Sequence, residues 1–124
     1  MILDDLAAAA RERVAQRKTQ KSYESLLAEA ETLPVDQTFP FERALKQPGL
    51  SFICEVKKAS PSKGLIAPDF PYLQIAKDYE EAGAAAISVL TEPKWFLGND
   101  RYLKEIAQTV QIPVLRKDFT VDPY

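Results

Sequence analysis

Two rhythms of apolar and polar residues divide this chain near Leu50. Before it, Leu3, Leu6, Ala10 and Val14 recur at helical spacing, with Arg11, Arg13, Arg17 and Lys18 towards the end where cations suit the macrodipole. Ser22 is placed to cap a second helix carrying Leu26, Leu27 and Ala30, which Pro34 stops. A short third helix, Phe41 to Lys46, ends at Gln47-Pro-Gly49. After Leu50 the pattern predicts a strand over Ser51–Lys57, then a helix over Pro71–Ala82 with Leu73, Ala76 and Tyr79 on one side and Gly83 as its stop. Ala84–Leu90 reads as a strand apolar on both faces. Asn99 or Asp100 caps a helix carrying Leu103, Ile106, Ala107 and Val110, and Ile112–Asp118 reads as a third strand. Pro113 lies near that strand's start, where a missing N–H is tolerated.

The order βαβαβ, with strand starts about 30 residues apart, implies parallel strands joined by right-handed crossovers. An open doubly wound sheet and a (β/α)8 TIM barrel share this rhythm. No Gly-rich turn of the dinucleotide type follows the first strand, and each strand ends in polar groups: Glu55 and Lys57, Thr91-Glu92, Lys117-Asp118. Polar residues at the C-terminal mouths of successive parallel strands favour the barrel. A whole barrel needs about 250 residues, so the expectation is a truncated one: a helical extension over 1–49, then about three βα units over 50–124. Such a piece has two open sheet edges, which invite self-association, and on its own is not expected to be a stable, active monomer.

Composition narrows the picture further. The 124 residues carry a net charge of −2, with 46% hydrophobic residues, as expected of a soluble globular domain. Nothing there calls for nucleic acid, and no stretch approaches the ~18 apolar residues of a membrane span. Met1-Ile-Leu-Asp-Asp5 puts acids where a secretory signal carries positive charge, and the single cysteine, Cys54, fits a reducing cytoplasm. With no histidine in the chain, acid–base chemistry must run on Lys, Glu, Asp or Tyr, and a His-based metal site is excluded.

The chemistry concentrates in Glu55-Val-Lys57-Lys-Ala-Ser60-Pro61-Ser-Lys-Gly64. Alternation points Glu55 and Lys57 one way and Cys54 and Val56 the other. An acid and an amine at the mouth of a buried strand are costly unless paired or used, so the pair is either a structural plug or part of a site. In Val114-Leu-Arg-Lys117-Asp-Phe119, alternation puts Leu115, Lys117 and Phe119 on one face. If Leu115 points inward so does Lys117, giving two interior lysines near one carboxylate: a positive excess suited to a doubly anionic substrate, and a setting in which one lysine serves as general acid. The Ser60–Gly64 loop is a plain turn by composition, weighted only by its position after Glu55 and Lys57. Thr91-Glu-Pro-Lys-Trp95-Phe96-Leu-Gly98 either caps the helix below with two rings or walls a ring-bearing substrate; its composition does not decide. Arg116 and Asp118 read as a structural pair, Cys54 as a small core residue, and Tyr23, Tyr72, Tyr79 and Tyr102 as packing residues on helix faces.

Taken together, Ile2-Leu-Asp, Glu55–Gly64, Ala84-Ala-Ala-Ile-Ser-Val-Leu-Thr-Glu92, Trp95-Phe96-Leu-Gly98 and Leu115-Arg-Lys-Asp-Phe119 resemble the indole-3-glycerol-phosphate synthase family. That family is a (β/α)8 barrel with extra N-terminal helices, a carboxy-lyase closing the indole ring in tryptophan biosynthesis. The resemblance implies that Lys117 is the general acid on the substrate's carbonyl oxygen. It implies that Lys57 holds the anthranilate carboxylate, with Glu55 positioned beside it. Ser60 and Pro61 would line the mouth, and Phe96 and Phe119 would wall the ring and chain. It implies a phosphorylated anthranilate-derived substrate and no cofactor or metal. The family's catalytic glutamate, its asparagine and its phosphate loops have no counterpart in these residues. Another phosphate-binding barrel, such as phosphoribosylanthranilate isomerase, and a non-catalytic self-associating half-barrel remain as rival readings.

Overall fold

A computed structural model describes residues 1–124, which fall into two compact units: Met1–Gln37 with Phe119–Tyr124, and Thr38–Asp118. In the first, helix α1 spans Ile2–Gln20, with Asp4 and Asp5 in its first turn and Arg17 and Lys18 in its last, as the macrodipole favours. Leu6 and Ala10 are buried, whereas Leu3, expected on the same stripe, is exposed. Helix α2, Tyr23–Glu31, is capped by Ser22, whose hydroxyl accepts the Ser25 N–H at 3.1 Å. The end of α1 is closed by the C-terminal segment: the Tyr124 hydroxyl donates to the Lys21 carbonyl at 2.8 Å, and Lys18 pairs with Asp122 at 2.9 Å. The hydrogen bond from Lys18, helped by the Tyr124 N–H, holds the Asp122 carboxyl below its ordinary range.

The second unit begins with α3, Pro40–Leu45, whose proline sits in the first turn, where a missing N–H costs nothing. It continues through β1, Ile53–Val56; a short hairpin of β2, Ala59–Ser60, and β3, Gly64–Leu65; α4, Tyr72–Glu81; β4, Ala86–Leu90; α5, Asp100–Thr109; and β5, Val114–Lys117. The expected strands and helices are present, with strands shorter than their apolar runs because the ladder ends where the central strand does. The hairpin was expected only as a loop. All pairing in the main sheet is parallel, in the order β1-β4-β5, with Glu55 level with Ser88 and Ser88 level with Leu115.

Helices α4 and α5 cover one face of this sheet. Val56, Ile87 and Val89 pack there against Ala76, Ile106 and Val110, with Phe70, Tyr72 and Tyr102 forming an aromatic cluster beside them. Gly83 follows α4 at φ +95°, the left-handed conformation that ends a helix without a Cβ penalty. Asn99 caps α5 by accepting the Arg101 N–H at 2.8 Å. Glu80 on α4 accepts the N–H groups of Gln111 and Ile112, tying α4 to the connection before β5. No helix is long and apolar enough to cross a membrane.

Candidate active site

The C-terminal ends of β1, β4 and β5 all lie at one end of the parallel sheet, and the chemistry-bearing residues follow them. Glu55 and Lys57 share a face, as alternation requires, and form an ion pair at 3.3 Å with each side chain about one-third exposed (36% for Lys57, 32% for Glu55). Ser88, from the neighbouring strand, donates its hydroxyl to the other Glu55 oxygen at 3.1 Å. The carboxylate therefore bridges β1 and β4, and the Lys57 ammonium keeps donors for a further anion. From the other side of the sheet the Tyr79 hydroxyl donates to the Glu55 backbone carbonyl at 2.9 Å, fixing the strand beneath the pair. Burial, aided by nearby Cys54 and Glu55, raises the Tyr79 phenol above its ordinary range.

Lys117 ends β5, level with Leu90 on β4. Strand spacing puts its backbone roughly 10 Å across the sheet from Lys57. It shares the open face with Leu115, but both are exposed, whereas the sequence suggested a buried ammonium. The physical reason is that both lie on the edge strand β5, outside the cluster that α4 and α5 form with Val56, Ile87 and Val89. Arg116 and Asp118 do pair, at 3.1 Å, and Thr91 donates to the same Asp118 oxygen at 2.8 Å.

Ser60 is buried, and its hydroxyl accepts the Lys63 N–H at 3.2 Å, so it holds the β2–β3 turn while Pro61 stands exposed at the tip. The hairpin is closed at its base by the Lys58 carbonyl, which accepts from Ile66 and Ala67. Phe96 is half-buried in the loop after β4. Phe119 follows β5 and belongs to the other compact unit.

Two residues had no individual role assigned from the sequence. Ser88 was visible only as a lone hydroxyl inside the run Ala84–Leu90. Glu92 is fully buried: its Oε1 accepts the Lys94 N–H at 3.0 Å, and its Oε2 accepts those of Trp95 and Phe96 at 2.7 and 3.1 Å. Its signal was an acid followed by Pro93 and two rings, which composition alone left undecided.

Parallel strands backed by helices, with an acid–lysine pair at the strand C-termini, are the arrangement of part of a (β/α)8 barrel. A family model described as indole-3-glycerol phosphate synthase matches residues 3–124. Proteins of that name from Ruminiclostridium cellulolyticum, Endomicrobium trichonymphae and Lacticaseibacillus paracasei are 60%, 56% and 57% identical over 124 residues, covering 100% of this chain. The chain belongs to the indole-3-glycerol phosphate synthase family. It spans about half the length of the curated relatives it matches, 48% of each of those three. A match to this family over nearly the whole chain removes the support for the isomerase reading.

Proposed function

We propose that these residues supply the substrate-anchoring and acid half of an indole-3-glycerol-phosphate synthase. The reaction is decarboxylating ring closure of 1-(2-carboxyphenylamino)-1-deoxyribulose 5-phosphate, in the cytoplasm. The observation that carries the reading is the Glu55–Lys57 ion pair at the mouth of β1, with Lys117 on the same face two strands away. Lys57 binds the anthranilate carboxylate while Glu55, held by Ser88, orients it. Lys117 protonates the carbonyl oxygen, which makes its carbon electrophilic. The ring carbon bearing the carboxylate attacks and forms the new carbon–carbon bond. Carbon dioxide then leaves, returning its electron pair to the ring. The new hydroxyl takes up a second proton and departs as water while the neighbouring nitrogen-bound CH₂ gives up one proton, which completes the indole double bond. Ser60 and Pro61 line the mouth, and Phe96 and Phe119 exclude water from the ring and chain. No metal or cofactor is required by these steps.

In the full-length protein carrying these residues, Lys117→Ala should lower kcat by about 10²- to 10⁴-fold while substrate still binds, read as the growth of indole fluorescence. Turnover unchanged in that variant removes the general-acid role. The 124-residue chain alone is expected to show no turnover, because β1 and β5 each have an unpaired edge. Light scattering on it would show a discrete dimer if those edges pair between copies.

A further inference from the structure

The loop after β4 is built around a buried charge. Glu92 is 0% exposed, and its two carboxylate oxygens gather the N–H groups of three successive residues, Lys94, Trp95 and Phe96. Its backbone carbonyl accepts a fourth, from Gly98, at 2.8 Å. Between these anchors Leu97 adopts φ +51°, in the left-handed region that non-glycine residues rarely enter. Gly98 lies so close to β4 that a Cβ there would meet the Leu90 carbonyl oxygen at 2.4 Å. Outside the loop, the Lys94 ammonium sits 4.4 Å from the centre of the Trp95 ring. A segment that merely connects a strand to a helix needs none of this, and burying a carboxylate costs several kcal/mol before its hydrogen bonds offset it. The arrangement stands at the C-terminal end of the central strand, the same end of the sheet as Glu55, Lys57 and Lys117. What it fixes there is the backbone of Phe96.

We propose that Glu92 is a positioning residue: by gathering the loop's N–H groups from inside, it holds Phe96 at one setting on the site rim, so that the loop recognises the flat acid-bearing ring by preformed shape. The inference rests on the proposed reaction for its substrate, but the setting of the loop is separately measurable. A wall held in place before binding loses less conformational freedom on binding, so its loss appears in affinity more than in the chemical step. Glutamine keeps the size of Glu92 but turns an NH₂ towards at least one backbone donor. Aspartate keeps both acceptor oxygens and itself favours accepting N–H groups two and three residues on.

The test uses the full-length protein labelled with fluorotryptophan, the Trp95 resonance being assigned by its disappearance in Trp95→Phe. Glu92→Gln should shift and broaden that resonance and raise KM about tenfold, with kcat per active site within about threefold of the parent. Glu92→Asp should restore a sharp line and bring KM back to within about threefold. A displaced Trp95 resonance with unchanged KM would overturn the proposal, leaving Glu92 a structural residue only. So would a fall in activity that tracks lost folded protein at constant KM. An unmoved resonance in Glu92→Gln overturns it outright. A parent protein without turnover sinks the assigned reaction instead, and the Trp95 resonance in Glu92→Gln then still decides whether Glu92 sets the loop.

Discussion

The two faces of the β1-β4-β5 sheet carry different residues and differ most in burial at the edge strands. On the helix side Val56 of β1 is buried like Ile87 and Val89 of β4; on the other side Ala86, Ser88 and Leu90 of the central strand are buried too, while Ile53 and Leu115 on the edge strands are 47% and 43% exposed. The covered face is where stability comes from, because α4 and α5 remove its apolar area from water. The more open face carries Glu55, Lys57, Ser88 and Lys117, and its apolar edge residues, Ile53 and Leu115, contribute little to this unit. Structure and chemistry are thus separated by the alternation of side chains along each strand, one residue serving the core and the next the site. The Glu92–Gly98 loop is the place where that separation fails, since a buried acid there is both the loop's core and, on the proposal above, a support for the site.

The sharpest way to break the comparison is to truncate one residue on each face. Ile87→Ala should destabilise the chain by about 2–5 kcal/mol, whereas Leu115→Ala should cost under about 1 kcal/mol, measured by urea denaturation. Equal losses would mean that the open face is covered in solution. Gly98→Ala tests the exception: its Cβ meets β4 backbone that cannot move aside, so a loss of about 1–3 kcal/mol is expected at a position with no side chain to lose. A neutral result would show that the loop is not pressed against the strand. Tyr79→Phe tests the one side-chain hydrogen bond that reaches from the helical layer to the backbone under Glu55, and should cost about 1 kcal/mol. The Tyr79 phenol has a raised folded pKa, so its contribution is complete below the ordinary tyrosine range and is lost as pH rises through the raised value. The difference between parent and Tyr79→Phe should therefore narrow in strong alkali, and a gap that widens there would contradict the assigned bond.

Much of the fold was legible because burial imposes a period. The run Ala84–Leu90, apolar on both faces, read as a buried strand, Ile112–Asp118 as a third strand, and the stripe Leu73, Ala76, Tyr79 as a helix face. Ser22 announced its cap, and Asn99 or Asp100 was offered for the other, which Asn99 takes, through local chemistry that needs no tertiary contact. The Ser60–Gly64 segment was less legible: its residues suit any turn, and its pairing as a hairpin depends on Lys58 accepting from Ile66 and Ala67. The pairing of Glu55 with Lys57 followed from spacing two apart on a strand. The contact between Glu55 and Ser88 did not, because it depends on the register between β1 and β4.

By itself, then, the sequence determined what is local or periodic: which segments are helices and strands, which side chains share a face, and the family to which the motifs point. Only the tertiary structure decided what depends on distant segments meeting. It brought Ser88 to Glu55, placed Tyr79 beneath them, and left Lys117 exposed on an edge strand. It also buried Glu92 inside its own loop, a result no period could announce, because the donors that make the burial tolerable are backbone N–H groups every sequence has.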